Sequence, residues 1–400
     1  MQNQLFLWYL KNPKAPMYVG ELNLVLNGHG VSLRYDPNWI KTGFALSEDI
    51  PLQAEHEFMP TEKDTAVGAV DDAKPDRWGE RVIRLLYPSS RLSILEYLYY
   101  AGDDRFGALG VSSSPNHYQP HLTGSLPHLQ DIQSIENLVQ KVLNHEPILE
   151  SERRLLSPGT SMGGVKPKAL IQINDESWIV KFAPGNPTDS PLIEHASMTL
   201  AKHAGIHVAQ TQILRTAYGH AIAIKRFDRI GRVRLHTLSA YVALKAAGES
   251  MGYPELAQLL RRLGNTSDMH ELFRRMVFNI LIDNTDDHEK NHALIADKNQ
   301  RLTLSPAYDV LPSGQALGIQ QMRIGTDGAE STLDNALSLH HLFSLTQKEA
   351  LRSIQKVMQI VNPWKKHFAN LGVSDSDIAT LAEQIDRPFL KEQRNSFGTR

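Results

Sequence analysis

The chain has 400 residues, of which 41% are hydrophobic, enough to bury the cores of about two or three domains. Its 42 basic and 44 acidic side chains nearly balance, so no overall field draws the protein to nucleic acid or to a membrane surface. Cysteine is absent, which excludes disulfides, thiolate zinc sites and cysteine nucleophiles.

Residues 1–150 are predicted to form a first domain that is rich in strands and then helical. Three short runs separated by turn residues predict strands at Leu5–Leu10, Glu21–Leu26 and Val31–Tyr35. Helices are predicted at Pro75–Leu86, at Leu92–Tyr100 and, after a connection from Ser112 to Leu129, within Asp131–His145.

No segment of the sequence has the features of a signal peptide or of a membrane span. The first apolar run, Leu5–Leu10, is too short for a signal peptide and lacks a charged leader. No other apolar run approaches the length that crosses a bilayer. We therefore expect a cytoplasmic enzyme or regulator.

The second predicted domain, residues 151–228, begins with a loop rich in glycine and serine. Residues 157–168 read SPGTSMGGVKPK and lead into a strand predicted at Ala169–Ile173. Gly163 and Gly164 lack the side chains that would keep backbone N–H groups away from phosphate oxygens, so the loop indicates nucleotide binding. It is not a Walker A loop, and a flexible surface turn is the alternative for this loop taken alone.

The following strand and helix carry a lysine and a glutamate that can form an ion pair. Trp178–Phe182 is an apolar strand interrupted by Lys181, as in the V-A-I-K strand whose lysine binds the α- and β-phosphates. The helix predicted at Leu192–Ala204 carries Glu194 in its first turn, where it would pair with Lys181. A solvated lysine and a glutamate favoured by the helix dipole are the alternatives.

Strands at Gln210–Thr216 and His220–Lys225 complete the small sheet, which ends at Arg226-Phe227-Asp228-Arg229.

Residues 229–400 are predicted to be mainly helical and to contain a candidate catalytic loop. Helices are predicted at Leu238–Ala247, Pro254–Leu263, Asp268–Ile282, Gln347–Val361 and Ser374–Asp386. The third of them ends near Asp283, within the stretch NILIDNTDDHEKNH of residues 279–292. Asp286 and Asn291 match the D-x-x-x-x-N of a kinase, in which the aspartate accepts the proton of the acceptor hydroxyl and the asparagine binds magnesium.

The sequence allows two other interpretations of this stretch. Residues 288–292 read H-E-K-N-H, and on a helix this pattern would place His288, Glu289 and His292 around the zinc ion of a hydrolase. The weak helix formers at residues 284–287 and the lack of a regularly spaced third ligand count against it. A solvated loop with a chance match is the other alternative.

A second acidic residue with the expected spacing follows this loop. Ala293–Ile295 and Leu302–Leu304 predict two short strands, and Ser305-Pro306-Ala307-Tyr308-Asp309 comes next. Asp309 is placed to bind magnesium as the aspartate of a D-F-G segment does, although a turn after a proline explains Asp309 alone. The order of parts predicts an α+β, two-lobed protein-kinase-like fold in which Lys181, Asp286 and Asp309 converge on a triphosphate.

Over nearly its whole length the chain resembles the HipA-type serine/threonine kinases of bacterial toxin–antitoxin modules. The resemblance is carried by Arg34-Tyr35-Asp36-Pro37, Pro75-Asp76-Arg77-Trp78-Gly79 and Phe106-Gly107-Ala108-Leu109 in the first domain. Later it is carried by Ser161-Met162-Gly163-Gly164 with Pro167-Lys168, Arg226-Phe227-Asp228-Arg229, Thr285-Asp286-Asp287-His288 with Lys290-Asn291, and Tyr308-Asp309. The sequence departs from the better-known toxins in its glycine- and proline-containing loop and at Asp287, where glycine is frequent.

The resemblance implies ATP and Mg²⁺ as cofactors and assigns roles to individual residues. Asp286 would be the catalytic base, Asn291 and Asp309 the magnesium ligands, and Lys181 the phosphate-binding lysine. Ser161, or its neighbours Thr160 and Ser157, would be autophosphorylated, and about two added negative charges would expel the loop from the site. The predicted nucleotide-binding residues are Lys181, Gly163, Gly164, Lys168, Arg226, Phe227, His288 and Lys290.

The resemblance also implies partners. These are a helix-turn-helix antitoxin of the HipB type, operator DNA bound through that antitoxin, and a protein substrate from translation such as an aminoacyl-tRNA synthetase. No membrane is implied. A catalytically inactive kinase fold that acts as a binding module is the alternative from another functional class.

Overall fold

The computed structural model describes residues 3–88, 91–121, 124–149, 151–156, 164–297 and 299–398. Ser161 and Gly163 of the predicted nucleotide loop lie outside these ranges. Within them, no helix is both long and apolar enough to cross a bilayer.

The described chain contains both strands and helices, with consecutive strands at its start and consecutive helices at its end. The N-terminal elements are β1 (Gln4–Tyr9), β2 (Met17–Val25), β3 (Gly30–Tyr35), α1 (Pro37–Thr42), β4 (Glu57–Phe58), β5 (Thr65–Ala66), α2 (Arg77–Leu86), α3 (Ile94–Tyr100), β6 (Leu109–Ser112) and α4 (Ile132–Leu143). The middle elements are β7 (Lys168–Ile173), β8 (Glu176–Phe182), α5 (Ser190–His203), β9 (Thr211–Thr216), β10 (Gly219–Lys225), β11 (Arg229–Ile230), β12 (Val233–Arg234), β13 (Thr237–Ser239) and α6 (Ala240–Ala246). The remaining elements are α7 (Tyr253–Arg262), α8 (Thr266–Leu281), β14 (Ala293–Ala296), β15 (Leu302–Leu304), α9 (Leu333–Ser338), α10 (Gln347–Val361), α11 (Trp364–Asn370), α12 (Asp375–Ile385) and α13 (Pro388–Gly398).

The chain divides into two compact units, and each unit is assembled from separate stretches of sequence. Unit 1 consists of Met1–Phe182, Lys225–Ala247 and Ile295–Gln300. Unit 2 consists of Ala183–Ile224, Gly248–Leu294 and Arg301–Arg400. The domain boundaries predicted near residues 150 and 228 stay predictions.

The core of unit 1 lies against a sheet with the strand order β4-β3-β2-β1-β6, and β5 pairs in parallel with β3. Leu7, Leu22 and Leu33 are fully buried on it. The sequence did not predict β6, although all four of its residues are buried and the strand pairs with β1. A short strand buried on both faces lacks the alternation of apolar and polar residues by which a strand is recognised.

A buried histidine makes unit 1 sensitive to acid. His236 donates from Nε2 to the carbonyl of Leu46 at 2.8 Å, and burial lowers the pKa of His236 to about 4. The unfolded chain, with an ordinary histidine pKa of about 6.5, therefore binds the proton more readily than the folded chain. The histidine's contribution to stability is complete above about pH 6.5 and falls by up to about 1.4 kcal/mol per unit as pH drops towards 4.

We expect His236→Gln to remove this part of the acid sensitivity, because the glutamine amide can still donate to Leu46 but does not take up a proton. The measurement is the urea midpoint at about pH 7.5 and about pH 5 for the wild type and the variant. His207→Gln, at an exposed histidine, is the matched control. Equal acid sensitivity of the wild type and His236→Gln would contradict the prediction.

Unit 2 is mainly helical and is centred on α8. The apolar residues of α8 are buried, among them Phe273, Met276 and Ile280, and α7 and α10 pack against this helix. Helix α13, which begins at Pro388, was not predicted from the sequence. Proline is tolerated in the first turn of a helix because the missing N–H has no intrahelical partner there.

Candidate active site

The candidate catalytic loop begins where α8 ends. The helix stops at Leu281, and Asp283 adopts a left-handed backbone with a φ of 58°, which an α-helix cannot continue through. The predicted end of this helix near Asp283 is therefore confirmed. From this residue the chain leaves the helix and forms a loop that ends where β14 begins, at Ala293.

The loop has one side towards solvent and one towards the core of unit 2. The side chains of Asp286 and Lys290 are exposed, whereas Asp287, Asn291 and His292 are buried. Neighbouring aspartates thus have opposite environments. Asp286 can meet a substrate from solution, and Asp287 faces other protein groups.

The segment that carries Asp309 is hydrogen-bonded to the candidate catalytic loop on both sides of that residue. Tyr308 donates from its hydroxyl to the carbonyl of Lys290 at 2.7 Å. Ser313 donates to the carbonyl of Asp283 from its backbone N–H at 3.1 Å and from its hydroxyl at 3.0 Å. The hydroxyls of Ser313 and Thr285 share a hydrogen bond of 2.6 Å. The structure therefore brings the Asp309 segment together with the loop of Asp286 and Asn291.

A buried ion pair anchors the start of the same loop. Arg387, just before α13, donates to a carboxylate oxygen of Asp283 at 2.8 Å, and Asp283 is fully buried. Burial raises the pKa of Asp283, and the neighbouring Arg387 opposes that rise. Sequence reasoning missed Arg387 and Ser313, because neither belongs to a recognisable motif and each is far along the chain from the loop.

Asn291 has the free acceptor that a magnesium ligand needs. Its Oδ1 is buried and has no hydrogen-bond partner in the part of the chain that the structure describes. An unpaired buried acceptor is costly, and binding to a hard cation that prefers oxygen ligands would satisfy it. Asp309, half-buried with a φ of 57°, supplies a carboxylate from the adjoining segment. The residues present fit a magnesium ion.

The zinc interpretation of residues 288–292 is wrong. Glu289–Asn291 form a single 3₁₀ turn flanked by extended residues, whereas H-E-x-x-H needs an α-helix to place both imidazoles on one face. His292 already donates from Nε2 to Asp287 at 2.9 Å, and His288 accepts at Nδ1 from the N–H of Lys290 at 3.2 Å. Among the described residues, no group of three or more histidines and carboxylates is arranged to hold a metal ion.

In unit 1, the predicted phosphate-binding lysine lies in the β7–β8 hairpin. Lys181 of β8 is opposite Lys168 of β7, and both side chains are buried. Lys168 forms an ion pair with Asp76 and donates to the carbonyl of Gly164 at 3.2 Å. Trp78 donates from its indole to the carbonyl of Lys168 at 2.8 Å. Sequence reasoning missed that the Pro75–Gly79 motif holds Lys168 in place.

Glu194 is buried on α5 in unit 2. The helix begins at Ser190, because Asp189 caps it by accepting from the N–H of Leu192 at 3.2 Å. Glu194 therefore lies in the second turn, and its predicted place in the first turn was wrong. The predicted pairing of Glu194 with Lys181 stays a prediction.

The Arg226-Phe227-Asp228-Arg229 segment has a structural role within unit 1. Arg226 donates twice to Asp228, at 2.9 and 2.8 Å, and to the carbonyl of Arg105 at 2.6 Å. The ring of Phe227 packs edge-on against Phe106, with centroids 6.0 Å apart. Most of the Arg226 guanidinium is therefore occupied by hydrogen bonds within the unit. Nucleotide binding by Arg226 and Phe227 stays a prediction.

A chain in which the Asp309 segment is hydrogen-bonded to the loop of Asp286 and Asn291 has the parts expected of a protein-kinase-like fold. The family profile of the HipA-like C-terminal domain matches residues 160–364, and that of the HipA N-terminal domain matches residues 16–112. The chain therefore belongs to the HipA family. The predicted α+β fold of the HipA type is confirmed.

Related proteins are known from several bacteria. "Putative kinase Y4dM" of Sinorhizobium fredii is 33% identical over 34% of this chain, and the match covers 37% of that relative's length. "Serine/threonine-protein kinase toxin HipA" of Shewanella oneidensis is 22% identical over 74% of this chain and 73% of its own length. A solved structure of HipA from Shewanella oneidensis MR-1, in complex with HipB and operator DNA, is similar with a TM-score of 0.69 at 18% identity. That similarity covers 98% of this chain and 99% of the other and shows the fold.

Proposed function

We propose that this chain is an ATP- and Mg²⁺-dependent serine/threonine protein kinase and the toxin of a type II toxin–antitoxin module. The observation that carries the proposal is the hydrogen bonding of the Asp309 segment to the loop that presents Asp286 and Asn291. These bonds join the two segments that carry Asp286, Asn291 and Asp309, the residues to which the proposal gives the roles of base and magnesium ligands. Similarity to proteins named as kinases supports the same reaction.

In the proposed reaction, Asp286 accepts the proton of the acceptor serine or threonine hydroxyl. The hydroxyl oxygen forms a bond to the γ-phosphorus of ATP, and the bond between that phosphorus and the bridging oxygen of ADP breaks. ADP leaves with the electron pair, and the acceptor becomes a phosphate ester. The exposure of Asp286 suits this role, because a protein substrate has to approach from solution.

Asn291 and Asp309 would hold magnesium, which neutralises charge on the phosphates when it is bound. In the same proposal Lys181 binds the phosphates, with Lys168 and the backbone of Gly163 and Gly164 beside them. His288 and Lys290, together with Arg226 and Phe227, complete the predicted nucleotide-binding set.

The partners in this proposal are those of a HipA toxin. A HipB-like helix-turn-helix antitoxin would bind the chain and connect it to operator DNA. The solved complex of HipA, HipB and operator DNA from Shewanella oneidensis MR-1 supports this part of the proposal. An aminoacyl-tRNA synthetase is the substrate class, and the cytoplasm is the compartment. Autophosphorylation at Ser161, outside the described residues, would silence the enzyme by adding about two negative charges to the loop.

The test is transfer of label from γ-³²P-ATP to protein serine or threonine by the purified full-length chain, with and without Mg²⁺. We expect label on the chain itself and on an added substrate protein, and none when magnesium is chelated. Tight binding of ATP without label transfer would contradict the proposal and indicate a binding module.

Replacing the predicted metal ligand should change the magnesium requirement. We expect Asn291→Ala to raise the Mg²⁺ concentration for half-maximal activity by about 10–100-fold, because a ligand oxygen is lost. The measurement is a magnesium titration of label transfer at saturating ATP. Asn370→Ala, at an exposed position on α11, is the matched control and should titrate like the wild type. An unchanged titration for Asn291→Ala would remove Asn291 from the metal site.

A further inference from the structure

A series of buried hydrogen bonds runs beneath the candidate catalytic loop. Asn284 donates to Asn279 at 3.1 Å, and Asn279 donates to the hydroxyl of Tyr253 at 3.0 Å. Tyr253 donates in turn to Oδ2 of Asp287, and His292 donates to the same oxygen at 2.9 Å. The series connects α7 and α8 to the loop.

These side chains are shielded from water, which strengthens each bond. Each of the five is at most 3% exposed. Burial, and then the charge of Asp287, raises the pKa of Tyr253 well above its usual value, so the hydroxyl keeps its proton and acts as a donor. The rings of Tyr253 and His292 also meet edge-on, with centroids 5.3 Å apart. A hydrogen bond to a buried carboxylate is strong, and its loss leaves the buried charge with one donor fewer, which costs free energy.

We propose that Tyr253, Asp287 and His292 are positioning residues that set the place of Asp286 relative to Asn291. Asp287 directly follows Asp286 and His292 directly follows Asn291, so the bond between Asp287 and His292 closes the loop that separates the two functional groups. Tyr253 attaches this closed loop to α7. The inference rests on the proposed kinase function, because its consequence is a rate.

A positioning role and a purely structural role predict different changes in kcat per folded molecule. Loss of stability alone lowers the fraction of folded protein and leaves kcat per folded molecule unchanged. Misplacement of the base lowers kcat per folded molecule while leaving the KM for ATP nearly constant, because none of the three side chains is assigned to the nucleotide.

The main test compares Tyr253→Phe with Tyr218→Phe in the full-length chain. Tyr218 lies between β9 and β10 and is 62% exposed, so it controls for the loss of a hydroxyl. We expect kcat per nucleotide-binding molecule to fall about 10–100-fold in Tyr253→Phe, with KM for ATP within about twofold of the wild type. Tyr218→Phe should match the wild type. An unchanged kcat in Tyr253→Phe would overturn the inference.

A conservative replacement tests whether the hydrogen bond from His292 to Asp287 is what matters. His292→Leu removes the donor to Asp287, whereas His292→Gln keeps an N–H that can reach it. We expect kcat to fall about 10–100-fold in His292→Leu and to recover substantially in His292→Gln. Equal loss in both variants would contradict the role of this hydrogen bond.

A second readout separates the inference from the proposed function. A wild type that transfers no phosphate would overturn the kinase proposal by itself. Amide hydrogen exchange of residues 284–292 would then test directly whether Tyr253 holds the loop in place. Faster exchange in Tyr253→Phe than in Tyr218→Phe supports the inference, and equal exchange overturns it.

Discussion

The Asp286→Asn variant is expected to transfer phosphate about 10²–10⁴ times more slowly than the wild type. The amide is close in size to the carboxylate but cannot accept the hydroxyl proton at neutral pH. Because the side chain of Asp286 is exposed, no buried contact is lost, so folding and affinity for ATP should be unchanged. Initial rates of label transfer and calorimetric binding of ATP measure the two properties separately.

The control for this variant is the same substitution at another exposed aspartate of unit 2. Asp375 is exposed at the start of α12, and Asp375→Asn should keep the wild-type rate. A wild-type rate in Asp286→Asn would exclude this residue as the base. A loss of ATP binding together with the rate would instead assign it a role in holding the nucleotide.

We expect the second large effect from Asp228→Asn, which should lower the free energy of unfolding. Asp228 is fully buried and accepts from Arg226, from Arg229 at 2.8 Å and from the N–H of Gly107 at 2.8 Å. The two arginines hold the pKa of Asp228 well below its usual range against the effect of burial. Burial and the charge of Arg226 lower the pKa of Arg229 to about 9. Removing the carboxylate that both arginines bind leaves two buried positive charges without this partner. We therefore expect the free energy of unfolding to fall by about 3–5 kcal/mol.

Urea unfolding at neutral pH, followed by a probe in unit 1, measures this loss. The control is Glu80→Gln, which removes a half-buried carboxylate paired with the exposed Arg84 at 2.8 Å in the same unit. Such a surface pair contributes about 0.3–0.5 kcal/mol. Similar midpoints for the two variants would show that the buried pairing stabilises the unit no more than the surface one.

The local parts of the site could be predicted from the sequence. The end of α8, the D-x-x-x-x-N spacing and the later aspartate depend on a few neighbouring residues, so turn formers and spacing were enough to find them. The H-E-x-x-H pattern shows that residue spacing alone does not distinguish one kind of site from another. The same letters fit a zinc helix, and only the 3₁₀ turn and the bond from His292 to Asp287 exclude it.

By itself, the sequence determined the kind of fold and the positions of Asp286, Asn291 and Asp309, because secondary-structure preference and motif spacing act over short distances. Only the tertiary structure decided which groups support them. Tyr253 and Asp287 are 34 positions apart, and Ser313 lies 28 positions from Thr285. No periodicity in the sequence encodes such pairs, since they form only when packing of the helices brings distant polar groups into a space without water.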